Sequence, residues 1–462
     1  MFSRVGPNLK STVDVPVTST EWVCEILRLA QSGEGIALLE GRALFVPNAF
    51  PQERVLVSKA DGPQRARLLK VIEPSRARRV PPCPHFEHCG GCDWMAINEE
   101  QQREFKQGLI LSNLERMGGI PEGSYELYPM VSDLHSLGYR RRARLGRAGK
   151  RLGFHMRNSA VCTAIDSCPV LVSALQNFPG AFCEAWGKAM TDLEEVELLE
   201  GQGEIAIGLQ LNSKLQEKHV KLAQQLKKRL GIAGLWLQGR CGASKEEGKV
   251  YLRDWGFARM HPGVFAQANG PMNIKLMRTL VAWLKALVEN LPEASVLELF
   301  SGNGNFTWAM ARLAKKIWAI ESNSLAVSLA QKMWLEKARI LRSLAFSDKR
   351  DSSARFIVGD VTRVVEGLIK EAKRFDCIVL DPPRQGAAGI GRWSKQLGAQ
   401  YVFYISCNPS SLARDAAELQ REGFAPVRLQ MFDFFPQTHH AETLMAFVFN
   451  PGVASKKQPR HP

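Results

Sequence analysis

Nowhere do the 462 residues contain a run of eighteen apolar side chains, so no segment is long enough to cross a bilayer as a helix. The opening Met1-Phe2-Ser3-Arg4-Val5-Gly6-Pro7 lacks the apolar core of a secretion signal, and the expectation is a cytoplasmic protein. Negative charge is scarce: 46 Asp and Glu stand against 61 Lys and Arg, a formal net charge of +15. Such an excess points to a polyanionic partner, nucleic acid ahead of an anionic membrane. A complete G-x-G-x-x-G is missing too, which weakens a dinucleotide-binding reading. What remains is an ordinary folded composition, 45% hydrophobic and 23% charged. The length implies about three domains at roughly 150 residues each.

Ten cysteines in a reducing compartment are ligands or catalysts sooner than disulfides. Cys83, Cys89 and Cys92 are separated by five and two residues, and Gly90-Gly91 lets the backbone wrap a metal centre. Radical enzymes that use S-adenosylmethionine need three and two intervening residues, so that class is disfavoured. Cys162 and Cys168 are candidates for a fourth ligand, and Cys168 is preferred because Pro169 stiffens the turn behind it. Four thiolates hold either zinc or an iron–sulfur cluster, and spacing leaves that choice open.

Residues 1–16 read as a loose tail. Short β-type runs come next at 22–29, 35–39, 43–47, 54–59 and 66–72, which in this length implies a small barrel. The segment Gly33-Glu34-Gly35-Ile36-Ala37 with Gly41-Arg42, Phe45-Val46-Pro47, Pro51 and Glu53 resembles a TRAM domain, a small RNA-binding barrel. Pro81-Pro82 marks a linker, and 97–117 has helical periodicity closed by Gly118-Gly119. The run Tyr139-Arg140-Arg141-Arg142-Ala143-Arg144, with Arg147, Lys150 and Arg151, predicts a basic hairpin turning near Gly149. Its charge reads as an RNA phosphate contact, with a solvated strand face as the plainer alternative. A helix is expected at about 213–230, and 253–260 gives no reading.

From His261 a helix is expected, then a doubly wound α/β pattern. The strand 295–300 runs into the glycine turn Ser301-Gly302-Asn303-Gly304-Asn305, and the next strand, 317–321, ends on Glu321. Glu321 lies 19 residues after Gly302, close to the spacing that places an acid on a ribose hydroxyl. Without the third glycine the turn suits S-adenosylmethionine better than a dinucleotide. Asp360 ends a third strand, and Asp381-Pro382-Pro383 makes a rigid floor after the fourth. Arg384 stands where amino-group methyltransferases carry an aromatic residue, which argues against that class. The fifth strand, 401–405, leads to Ser406-Cys407-Asn408-Pro409 and presents a thiol at a strand end. Alone, such a cysteine is more often structural. Glu442, between His439-His440 and a last strand at 444–449, is either a salt-bridge partner or a base with a raised pKa.

Six motifs occur in order: Cys83…Cys89-Gly-Gly-Cys92, Phe265-Ala-Gln267-Ala-Asn269, Leu299-Phe300-Ser-Gly302-Asn-Gly304-Asn305-Phe306-Thr307, Asp381-Pro-Pro-Arg384, Ser406-Cys407-Asn408-Pro409 and Phe435-Pro436-Gln-Thr438…Glu442. Together they resemble the RNA uracil-C5 methyltransferase family, in the TRAM-containing, iron–sulfur branch that modifies 23S ribosomal RNA. That resemblance implies a Rossmann-like S-adenosylmethionine-dependent methyltransferase domain at 263–451, a TRAM β-barrel at 17–75, a central mixed α+β iron–sulfur domain at 76–262 and a basic tail at 452–462. It implies a [4Fe-4S] cluster on Cys83, Cys89, Cys92 and Cys168. Gln267, Phe300, Asn305, Glu321, Asp360 and Asp381 would line the S-adenosylmethionine site, with Cys407 as nucleophile and Glu442 as base. The partner would be RNA, 23S rRNA ahead of tRNA, met by a monomer with no membrane involved. Departures from the family pattern include Ser301 where cysteine is common, and a charged stretch, 343–354, ahead of the Asp360 strand.

Overall fold

The computed structural model describes residues 13–452 apart from 19–20, 61, 63, 158, 187–190, 255–257, 312 and 344–352. Most of the charged stretch 343–354, most of the loose tail 1–16 and nearly all of the basic tail 452–462 therefore lie outside the described residues. The chain divides into two compact units, Met1–Leu109 with Phe435–His439, and Ile110–Phe434 with His440–Pro462. Among the described residues no helix is long and apolar enough to cross a membrane.

The first unit is built on short strands. Val13–Thr18, Glu21–Glu25, Arg54–Lys59 and Ala66–Glu73 form one antiparallel sheet, and Arg28–Leu29, Gly35–Leu39 and Arg42–Val46 form another. Alternation buries one face of each, and Ile26, Ala37, Val46, Val55 and Val57 share a single core. Glu53 is fully buried beneath the chain that leaves these sheets. Its carboxylate accepts from Arg78 Nε at 2.5 Å and Nη2 at 2.7 Å, and from the Phe50 amide at 2.9 Å. A bidentate pair with further donors satisfies a buried acid. The Cys83–Cys92 segment continues the unit as turns, with Trp94 fully buried and its indole N–H donating to the Gly33 carbonyl at 2.8 Å.

The second unit carries two large sheets. One has seven strands, with Arg142–Ala148 and Arg151–His155 paired around Gly149 as the basic hairpin. The other has eight strands. Seven of these are β1 (Ser295–Leu299), β2 (Lys316–Glu321), β3 (Ser353–Val358), β4 (Cys377–Leu380), β5 (Tyr401–Ser406), β6 (Phe424–Phe432) and β7 (Glu442–Phe449). Their spatial order is 3-2-1-4-5-7-6, and Glu126–Leu127 adds an eighth strand beside β6. β1 to β5 are parallel, and β4 and β5 read as continuous apolar runs because helices cover both faces. β7 runs antiparallel between β5 and β6. The helices that frame the strand ends are α1 (Gly270–Leu287), α2 (Asn305–Met310), α3 (Val361–Lys370) and α4 (Pro409–Arg421).

This doubly wound arrangement puts every parallel strand's C-terminal end on one edge. Because β7 is reversed, its first residue reaches that same edge.

Candidate active site

Cys407 leaves the end of β5, and its half-buried sulfur is held in place by the two residues after it. Asn408 caps α4, its side-chain oxygen accepting from the Ser410 amide at 3.0 Å, and Pro409 takes the first helical position. The same Asn408 donates to the Arg384 carbonyl at 2.8 Å, so the thiol loop and the Asp381-Pro-Pro-Arg384 loop are tied together. Buried Asp415 braces the second loop from below. It accepts from the Tyr404 hydroxyl at 2.6 Å and from the Ala387 amide at 2.7 Å.

Glu442 opens β7. Ser406 and Thr443 face each other across β5 and β7, with Cys407 one residue beyond on one strand and Glu442 one residue before on the other. Opposed residues of an antiparallel pair project to the same side. Glu442 is 4% exposed, and its Oε2 meets no hydrogen-bond donor. Burial raises its pKa well above the usual carboxyl range; Asp381 raises it further and Arg384 opposes this. Burial, then Glu442 and Asp381, push the Cys407 thiol up to about 12, against the pull of Arg384. The resting sulfur is therefore protonated.

The adjoining cofactor side rests on the turn after β1. Phe300 adopts a φ of +61°, a conformation non-glycine residues hold only where surroundings impose it, and Gly302 and Gly304 come next at +55° and +83°. A side chain placed on Gly302 would meet nothing within 4 Å, so the backbone there borders open space. Glu321, at the tip of β2, accepts from the Gly302 amide at 3.0 Å and from the Asn323 amide at 2.7 Å. Asn305 exchanges two hydrogen bonds of 2.9 Å with Asn273 of α1. Gln267 donates to Asp381 at 3.4 Å. Burial lifts Asp381 to about 7, and the Gln267 contact partly offsets this. Asp360 is exposed and caps α3 through the Arg363 amide at 3.0 Å. An open glycine turn bordered by acids at successive strand tips fits a nucleoside methyl donor. Cys407, Glu442, Gln267, Phe300, Asn305, Glu321, Asp360 and Asp381 all belong to the second unit.

Two groups here were not legible as functional in the sequence. Glu298, within β1, is 1% exposed; the Thr307 hydroxyl donates to its Oε2, and its Oε1 has no partner. Burial is the main cause that raises it to about 8. Arg141 is the other. It belongs to the arginine run, yet it is buried and paired through both guanidinium nitrogens with Asp254, one contact at 3.0 Å. Its Nε donates to the Gln267 carbonyl at 2.9 Å and its amide to the Ala268 carbonyl at 2.9 Å, so it fixes the Phe265–Asn269 segment. Arg142 pairs with Glu197, Arg144 with Glu195 at 3.0 Å, and Arg151 with Asp166. The charges of these four side chains are met within the protein; Arg141 is buried, while Arg144 and Arg151 stay exposed on the hairpin.

The four cysteines expected to hold a cluster are divided between the units. Cys83, Cys89 and Cys92 belong to the first and Cys168 to the second. Among the described residues no three His, Cys, Asp or Glu side chains are grouped so as to hold a metal ion. His439 pairs with Asp93, and His440 Nε2 lies 3.3 Å from Arg384, so the adjacent histidines go separate ways. A cleft of about 550 Å³ lined by Ile369, Arg374, Arg392 and Lys395 lies beside residues that precede β4, away from the thiol and the glycine turn.

Residues 188–448 match the family described as tRNA (uracil-5-)-methyltransferase. The chain is 33% identical over 439 residues to the 23S rRNA (uracil(1939)-C(5))-methyltransferase RlmD of Vibrio campbellii, covering 92% of this chain and 95% of that one. The protein of the same name from Pseudomonas entomophila is 32% identical over 467 residues, covering 96% and 97%. Among solved structures, the Pyrococcus abyssi tRNA (uracil-54, C5)-methyltransferase in complex with S-adenosyl-L-homocysteine shares the fold. Its TM-score is 0.66 at 21% identity, over 92% of this chain and 100% of that one. Family match and full-length relatives agree with the Rossmann-like architecture: this chain belongs to the tRNA (uracil-5-)-methyltransferase family of enzymes.

Proposed function

We propose that the protein methylates C5 of a uridine in RNA, with 23S rRNA as the substrate, through a covalent bond between Cys407 and C6 of the base. The observation that carries this is the convergence of a strand-end thiol and a buried carboxyl group, one oxygen of which has no partner, each one residue past the Ser406–Thr443 rung of the β5–β7 pair. When bound beside Gly302, S-adenosylmethionine supplies an electrophilic methyl group. Uracil C5 is too weak a nucleophile to take it unaided. The Cys407 sulfur bonds to C6 and passes its proton to a neighbouring carboxylate, which makes C5 nucleophilic. Once C5 carries the methyl group, Glu442 removes its proton, the C5–C6 double bond reforms and the sulfur leaves with its proton restored. The target base has to leave its stack to reach a half-buried thiol. Ribosomal rather than transfer RNA is supported by the relatives that match nearly end to end.

The same reading assigns the strands of 17–75 to a TRAM barrel that touches RNA, 76–262 to a central domain, 263–451 to the methyltransferase and 452–462 to a tail. It carries a monomer acting in the cytoplasm. We also propose, on the spacing of Cys83, Cys89, Cys92 and Cys168 and on Gly90-Gly91, that these four bind a [4Fe-4S] cluster. No catalytic step runs through it. Protein purified without oxygen should contain iron and sulfide; zinc alone would reverse the choice.

Labelled methyl transfer to 23S rRNA and to tRNA transcripts tests the main reading. Cys407→Ala should transfer none while still binding the methyl donor by calorimetry, and wild-type turnover in that variant would remove Cys407 from the mechanism. Glu442→Gln should trap a protein–RNA adduct on a denaturing gel.

A further inference from the structure

Glu298, Asp381 and Glu442 bring three carboxyl groups to one sheet edge with little positive charge to meet them. The Thr307 hydroxyl donates to Glu298, and the charges of Asp381 and Glu321 act on it. Asp381 faces the Gln267 amide. The charges of Asp381 and Arg384 act on Glu442, and those of Glu442 and Asp381 act on the Cys407 thiol, which leaves the neighbouring strand end. Arg384 is exposed, and its guanidinium also contacts His440. One oxygen of Glu298 and one of Glu442 are buried without any partner. Carboxyl groups so placed cannot all ionise, since burial and like charge both favour the neutral form. The raised values of all three agree with that. Yet Glu442 must be ionised before it can accept a proton from C5. The positive charge lacking in the free protein is the one a sulfonium carries.

We propose that the Glu298–Asp381–Glu442 cluster gives up a proton to solvent when the methyl donor binds, so that the base is armed by the donor's charge. This rests on the reading that the donor sits beside Gly302. The charges balance. One positive charge enters and one proton leaves. The ionised carboxylate takes the Cys407 thiol proton as sulfur bonds to C6. On methyl transfer the donor's positive charge is lost as the sulfonium becomes a thioether. At elimination the C5–H bond breaks, its electron pair forms the C5–C6 double bond, the C6–S bond pair returns to Cys407 together with the thiol proton from the cluster, and the C5 proton takes that proton's place on the carboxylate. The cluster ends with the proton count it had at rest. S-adenosylhomocysteine, neutral at sulfur, has no such hold on an ionised cluster, which distinguishes spent from fresh donor.

Calorimetric titration at neutral pH in phosphate and in Tris, whose ionisation enthalpies differ, reads the proton count directly. S-adenosylmethionine should release about one proton per site, and so should an analogue bearing an ammonium group in place of the sulfonium. S-adenosylhomocysteine should release markedly fewer. Replacing Glu298 and Glu442 together by Gln should bring the first two counts down to the third. Equal counts for S-adenosylmethionine and S-adenosylhomocysteine in the wild-type protein would overturn the inference, and that comparison stands even if the double variant fails to fold. Absence of any binding heat for S-adenosylmethionine and its homocysteine product would instead overturn the assignment of the pocket, and this inference with it.

Discussion

The second unit concentrates charge in two places, and they are built oppositely. Along Arg142–Ala148 and just before it, guanidinium groups are met: Arg141 by Asp254, Arg142 by Glu197, Arg144 by Glu195 and Glu197. At the catalytic edge, carboxyl groups are packed together with one exposed guanidinium near them. A buried charge with its partner is fixed in one state. A buried acid without one is poised between two, and proton transfer needs that second condition. Charge density along a sequence does not tell the two apart, but partners do.

Breaking each region should have different consequences. Glu442→Gln should slow methyl transfer by about 10²- to 10⁴-fold, the usual weight of a general base, while raising rather than lowering the unfolding midpoint at neutral pH, since a buried amide needs no proton to stay neutral. Steady-state turnover against urea denaturation reads both. Asp254→Ala should do the reverse of that pattern, destabilising the protein by about 3–5 kcal/mol because Arg141 is left buried and uncompensated. Replacing both as Arg141→Met with Asp254→Leu should recover most of that stability, yet still weaken donor binding through the loosened Gln267 segment.

Glu298→Gln tests the poised acid by stability rather than rate. The folded value, about 8, lies above the ordinary 4.5, so the folded protein retains a proton that the unfolded chain has lost. Stability from that neutral group is full below the ordinary value and is lost as pH rises through the folded one. The glutamine variant should therefore show a shallower fall in stability between about pH 5 and 9. An unchanged slope in urea titrations would remove Glu298 from the poised set. Least affected should be Arg144→Ala, whose exposed pairs contribute at most about 1 kcal/mol.

Local pattern carried much of the architecture. The runs 35–39 and 54–59 read as strands and are strands with those limits, and the glycine turn after 295–300 introduces α2 as its spacing implies. The helix expected from 213 begins at Glu217. The 253–260 stretch was silent because its structure is a two-rung pairing of Leu252–Arg253 with Arg259–Met260, too short to show a period. The larger misses share one cause. Arg141 and Asp254 are 113 residues apart, and nothing near the arginine run announces its partners. Glu298 looks like any polar member of a strand until the sheet is known to be covered on both faces.

The reversed strand at the catalytic edge has one more implication. Cys407 and Glu442, the proposed nucleophile and base, each lie one residue past the Ser406–Thr443 rung, so the sheet works as a ruler graduated in single residues. Loops on either side are free to lengthen without disturbing its marks. Deleting one residue inside Glu442–Phe449 would swing its carboxyl to the other face of the sheet, silencing the chemistry in a molecule that still folds.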